Sequence, residues 1–219
     1  MWSTLAKGSA GPPIAYSRQL LRAPDGGTIA VDLASEDESA PQDTPILVVL
    51  HGLTGGSSEA YVVNVLREAV RKQSDGGLLG WRAAVVNSRG CAGSEITSDR
   101  LYHGGWTYDL RCALEFLQDK FPGAPLYGIG FSLGGNMMAK YVGQAGPKTP
   151  LSAAVTLGAP WDFWAAHLQL ESSWLGRRVY SRALATNLKC VLIWVMVTPL
   201  PLTLHLVWQE TAGEAPTAL

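Results

Sequence analysis

The chain has 219 residues, 47% of them apolar, which is enough for one globular unit with a sizeable core. Its 17 Lys and Arg against 18 Asp and Glu leave a net charge of −1, and with no basic stripe or aromatic platform this excludes nucleic acid as a partner. The four histidines stand singly, and Cys91, Cys112 and Cys190 have neither disulfide-framework nor metal-ligand spacing, which excludes a metal centre and points to a reducing, intracellular setting.

Residues 1–16 carry Gly, Ser and Pro without an apolar run, so they read as a flexible arm rather than a secretory leader. Arg18 to Arg22 and Thr28 to Leu33 flank the turn sequence Pro24-Asp25-Gly26-Gly27 and predict a hairpin. Ala34 to Thr44, with its acids, serines and proline, predicts a surface linker. Ile46 to Leu50 is a continuous apolar run of the kind a buried parallel strand needs, and it leads into His51-Gly52-Leu53-Thr54-Gly55-Gly56. Tyr61 to Lys72 places Val62, Val65, Leu66, Ala69 and Val70 on one helical face. Ala83 to Asn87 is the next strand and Trp106 to Phe121 the next helix, where Asp109 suits the helix dipole and its free amides. Leu126 to Phe131 predicts a strand, Leu133 to Gln144 a helix and Ala153 to Leu157 a further strand. This alternation predicts an α/β fold, a mostly parallel sheet with helices on both faces.

Gly130-Phe131-Ser132-Leu133-Gly134 stands where the Leu126 strand turns into the Leu133 helix. Glycines two before and two after a serine allow a strained turn that holds the hydroxyl out at the end of the sheet, the arrangement called a nucleophile elbow. The glycine loop after the Ile46 strand supplies backbone N–H groups that can converge on one point. The amides of Leu53 and Leu133 are therefore the candidate donors of an oxyanion hole, and Ser132 is the candidate nucleophile.

Hairpin, His-Gly loop, elbow and strand in this order resemble the α/β-hydrolase superfamily. The chain is most similar to its branch of yeast medium-chain fatty acid ethyl ester synthase/esterases and animal abhydrolase-domain phospholipases. The residues that carry the resemblance are Pro24-Asp25-Gly26-Gly27-Thr28, His51 to Ser57, Asn87-Ser88-Arg89-Gly90-Cys91, Tyr102-His103-Gly104-Gly105-Trp106, Asp109-Leu110-Arg111 and Gly130 to Asn136. It implies the α/β-hydrolase fold over residues 17–188, lacking the last strands. It further implies serine hydrolysis of lipophilic carboxylic esters through an acyl-enzyme on Ser132, with no cofactor and no metal. An alcohol in place of water would turn the same intermediate to ester synthesis.

The resemblance also sets what is missing, since the family's acid and histidine follow the nucleophile in chain order. Asp162, after the Ala153 strand, is the surviving candidate acid. His167 would have to fold back over Ser132 to serve as base, and His51 and His103 read as loop-shaping residues. Without a base the chain also reads as a non-catalytic remnant. Residues 189–219 form an apolar tail, Val191 to Val197 followed by Pro199 and Pro201, which departs from the family pattern and reads as a segment unrelated to the fold, as a hydrophobic anchor giving membrane association, or as a rebuilt strand. The sheet is then expected to end at the Ala153 strand with an unpaired edge.

Overall fold

A computed structural model describes residues 14–35, 39–71, 76, 79–186 and 188–189. Its sheet starts with the hairpin: β1 (Ser17–Arg22) and β2 (Thr28–Ala34) pair antiparallel from Ser17↔Leu33 to Arg22↔Thr28. The turn between them closes on Ala23, whose N–H donates to the Gly27 carbonyl at 2.8 Å, while Asp25 Oδ1 accepts from the Gly27 amide. β3 (Ile46–Leu50), β4 (Arg82–Asn87), β5 (Leu126–Phe131) and β6 (Leu151–Leu157) complete a six-stranded sheet of order β1-β2-β4-β3-β5-β6. β2 runs antiparallel to β4, and every pairing from β4 to β6 is parallel.

Helices form where apolar residues recur at helical spacing, and each covers a separate part of the sheet. α1 (Ala60–Val70) buries Val62, Leu66 and Val70 against Val49, Ala83 and Val85 on one face. α2 (Tyr108–Lys120) and α3 (Leu133–Ala145) cover the other, where Leu110, Leu114, Leu117, Met137 and Met138 meet Ile29, Val31, Ile46, Val48 and Val86. α4 (Phe163–Ser172) follows β6 and leaves Phe163, Trp164 and Leu168 exposed. A short π-helix, Gly176–Tyr180, follows it. The strands and helices thus lie where the periodicity places them, with β6 beginning earlier than Ala153, at Leu151.

Among the described residues β6 pairs with β5 alone, and Val155 and Leu157 on it are exposed. No helix of the described residues is long and apolar enough to cross a membrane. The tail from Cys190 onward, with the membrane contact read from it, lies outside the described residues.

Asp109 does more than complement a helix dipole. Its carboxylate takes the Arg89 guanidinium, with Arg89 Nη2 2.7 Å from Asp109 Oδ1 and Nε 2.9 Å from Oδ2. Asp25 holds the other side of the same guanidinium at 2.5 Å, so the hairpin turn, the end of β4 and the start of α2 share one ion. The Arg89 side chain is 1% exposed and lies over the Trp106 ring. A buried cation of this kind is tolerated only while both carboxylates and the Ser98 hydroxyl satisfy it. Asp109→Ala should therefore cost about 3 kcal/mol of stability. Urea unfolding followed by far-ultraviolet circular dichroism measures it, with Arg111→Ala, at an exposed surface pair, as the near-neutral control.

Candidate active site

β5 ends at Phe131 and α3 begins at Leu133, so a single residue, Ser132, makes the turn. Its φ of 51° and ψ of −117° lie in a region that side chains rarely adopt. Close backbone approach makes this turn feasible. A Cβ at Gly130 would sit 2.5 Å from the Gly134 carbonyl oxygen, and one at Gly134 would sit 2.6 Å from the Leu50 carbonyl oxygen. The Ser132 amide donates to the Leu157 carbonyl at 2.8 Å, and its own carbonyl accepts from the Asn136 amide at 3.1 Å. The residue is exposed, so its hydroxyl stands at the carboxyl end of the sheet.

The glycine loop lies directly against this turn. The position a Cβ would take at Gly52 is 3.5 Å from Ser132 Cβ and 3.7 Å from the Phe131 carbonyl oxygen. Ser57 closes the loop and is fixed at three atoms: its hydroxyl donates to Asp32 at 2.5 Å, its amide to Asn87 Oδ1 at 3.1 Å, and its carbonyl accepts from Tyr16 Oη at 2.8 Å. Asp32, 1% exposed in the middle of β2, also accepts from Asn87 Nδ2 and from the Arg18 guanidinium. Burial pushes the Asp32 carboxyl up. The hydrogen bonds from Arg18, Ser57 and Asn87, with the Arg18 charge, outweigh it and hold the group below the usual carboxylate range. Burial, with the Asp32 charge, pushes the Tyr16 phenol up to about 12.

None of the described histidines hydrogen-bonds Ser132. His51 is buried with both ring nitrogens engaged: Nε2 accepts from the Ser88 amide at 3.0 Å, and Nδ1 donates to the Gly52 carbonyl at 2.7 Å. Burial holds it neutral, lowering its pKa against the opposing bond to Gly52. His103 accepts from the Gly105 amide through Nδ1 at 3.1 Å. Burial and the nearby Lys140 charge lower its pKa as well. His167 lies exposed on α4 beside the Trp164 ring and makes no hydrogen bond to Ser132 or Asp162. Asp162 caps α4, accepting from the Ala165 amide at 2.9 Å.

Leu53 lies in the glycine loop and Leu133 opens α3, and neither amide has a protein acceptor among the described residues. Leu133 Cδ1 and Phe163 Cζ both lie 2.9 Å, and Asn136 Oδ1 3.2 Å, from the Cβ position at Gly104, so the loop before α2, the elbow and the start of α4 meet there. On the α1 side of the sheet Phe131 packs against Tyr61, with ring centroids 4.9 Å apart. Among the described residues no group of three His, Cys, Asp or Glu is arranged to hold a metal.

The chain belongs to the alpha/beta hydrolase fold family, whose sequence profile matches residues 45–216 and so runs past Leu188 into the apolar tail. It is 40% identical over 144 residues to the Saccharomyces cerevisiae monoacylglycerol lipase, covering 66% of this chain and 31% of that protein. To the Saccharomyces cerevisiae medium-chain fatty acid ethyl ester synthase/esterase 2 it is 37% identical over 149 residues, 68% of this chain and 32% of that one. The Mus musculus phospholipase ABHD3 is 34% identical over 170 residues, 75% of this chain and 40% of that protein. The chain thus spans a third to two-fifths of the length of these relatives. An alpha-beta serine hydrolase homologue from Coxiella burnetii superposes with a TM-score of 0.53 at 16% identity, covering 70% of this chain and 67% of that one. A cold-adapted esterase from an Arctic intertidal metagenomic library gives a TM-score of 0.51 at 21% identity, covering 68% and 63%.

Sequence reasoning missed Asp32 and Tyr61 as parts of this site. The signal for Asp32 was present, an acid inside the apolar strand Ile29-Ala30-Val31-Asp32-Leu33, since a strand buried on both faces keeps a carboxylate only when it is paired. Because Asp32 and Asp25 are both held below the ordinary value of 3.8, the unfolded chain binds protons more readily at these groups. Their stabilisation is complete above that value and is lost as pH falls through the folded-state values. A urea midpoint series from pH 7 to pH 2 should stay flat at first and then drop, and Asp32→Asn should lower the plateau and flatten the acid limb.

Proposed function

We propose that the chain carries out acyl transfer from lipophilic carboxylic esters, with Ser132 as the nucleophile. The observation that carries this reading is the strained serine turn packed against a glycine loop, with the Leu53 and Leu133 amides unpartnered among the described residues. Ser132 Oγ would add to the ester carbonyl, the two amides would hold the negative oxygen of the tetrahedral intermediate, and the alcohol would leave to give an acyl-enzyme. Water then releases the acid, and an alcohol acceptor instead gives a new ester. Leu133 and Phe163, which meet beside Gly104, favour an acyl chain over a polar one. The relatives whose names specify a monoacylglycerol lipase, an ethyl ester synthase/esterase and a phospholipase point to the same substrate class.

The weak element is proton transfer. Among the described residues His51 and His103 each have a ring nitrogen bonded to the backbone and Asp162 Oδ1 caps α4, while His205 lies outside the described residues. A serine hydrolase without its base loses on the order of a million-fold in turnover and keeps roughly a thousand-fold over water from the oxyanion hole and binding. This favours, as a second reading, a chain that binds esters and turns them over poorly. Reaction with a fluorophosphonate probe separates the outcomes. Slow labelling that speeds up towards pH 9 and disappears in Ser132→Ala supports the serine reading, with hydroxide standing in for the base. Labelling that persists in Ser132→Ala overturns it, and fast labelling at pH 7 that Ser132→Ala abolishes replaces the second reading by an efficient enzyme.

A further inference from the structure

The glycine loop is held by two phenols. The Gly52 amide donates to Tyr61 Oη at 2.9 Å and the Thr54 amide donates to Tyr102 Oη at 3.0 Å. The amide between them, Leu53, has no protein acceptor among the described residues. Alternate amides are thus taken out of play and the middle one is left for a ligand. The tyrosines come from different places, Tyr61 from the first turn of α1 and Tyr102 from the loop before α2, so the loop is gripped from two directions. Tyr61 Oη is 3.4 Å from the Cβ position at Gly52 that Ser132 Cβ also approaches to 3.5 Å, which puts this grip beside the elbow.

The grip has strain to hold. Thr54 sits at φ 58°, a left-handed conformation that a β-branched residue rarely adopts and that persists only where its surroundings over-determine it. Tyr102 holds its amide and its own hydroxyl donates to the Leu53 carbonyl at 2.7 Å, so the Leu53–Thr54 peptide is fixed from both sides. Both phenols stay protonated, because burial is the main cause raising their pKa. A neutral phenol oxygen accepts an amide without setting a negative charge against a developing oxyanion.

We infer that Tyr61 and Tyr102 are positioning residues that fix the glycine loop with the Leu53 amide free for the oxyanion of the acyl group on Ser132. This rests on the Ser132 reading. The test uses the full chain with Tyr61→Phe and Tyr102→Phe, each of which keeps the ring, and residue-resolved amide hydrogen exchange. In the wild type Gly52 and Thr54 should exchange slowly and Leu53 fast. Tyr61→Phe should speed exchange at Gly52 about tenfold and Tyr102→Phe should do so at Thr54, the loss of one hydrogen bond in each case, while core strand amides keep their protection. Phenylboronic acid, which forms a tetrahedral adduct on a serine oxygen, should bind five- to tenfold more weakly to each variant. The planar ketone acetophenone, which places no anionic oxygen at the loop, should bind all three proteins equally. Boronate bound equally by wild type and variants overturns the positioning role, as does unchanged exchange at Gly52 and Thr54. A wild type that forms no boronate adduct on Ser132 overturns the serine chemistry and this inference with it.

Discussion

At the carboxyl end of the sheet, three backbone segments occupy a space that has no room for a side chain. The first turn of α3 rests on the ends of β3 and β5, and both Gly130 and Gly134 would bring a Cβ into a carbonyl oxygen there. Because α3 is pressed this close, the residue before it must take a left-handed turn, and Ser132 is lifted out of the sheet rather than folded into it. Because β3 ends under the same helix, the loop that leaves it passes within van der Waals reach of Ser132 Cβ. The packing of the core and the geometry of the site are therefore one constraint. A larger residue at either glycine would separate helix from sheet and loop from serine together.

Two buried charges set the periphery of that arrangement. Asp32 ties β1, β2, β4 and the glycine loop at one carboxylate, and Arg89 ties the hairpin turn, the end of β4 and the start of α2 at one guanidinium. Buried ions of either sign cost several kcal/mol to desolvate, and their pairing does little more than offset that cost. Their contribution is geometric. Each ion has so few acceptable partners that the segments around it are held in one register, and the segment that Asp32 holds is the glycine loop beside Ser132.

Period and punctuation made the architecture readable from the amino-acid sequence. α1, α2 and α3 appear within two residues of the stretches whose apolar residues recur every three or four positions, and β3 to β5 match continuous apolar runs bounded by turn signals. The elbow was equally legible, since Gly-x-Ser-x-Gly after a strand and before a helix is a statement about local backbone. The rest required distances across the chain. Asp109 looked like a helix-start acid because nothing near it in sequence announces Arg89, 20 residues earlier and inside another loop. Asp162 read as a candidate acid after a strand, and its cap bond to the Ala165 amide is visible only once α4 is seen to start there. Tyr61 and Tyr102 read as a helix residue and a motif residue, and only the fold brings their hydroxyls to neighbouring amides of one loop.

The bond from the Ser132 amide to the Leu157 carbonyl gives the elbow a mechanical neighbour. Leu157 is the last residue of β6, the strand that among the described residues has a partner on one side only. Fraying begins at strand edges, and here the end of the edge strand is the same peptide that holds the serine's amide. A tug on β6, from whatever lies along its open side, is carried by its ladder to β5 and by this single tether to the peptide plane that sets Ser132 at φ 51°. Tension at the rim of the sheet is in this way felt at its reactive corner.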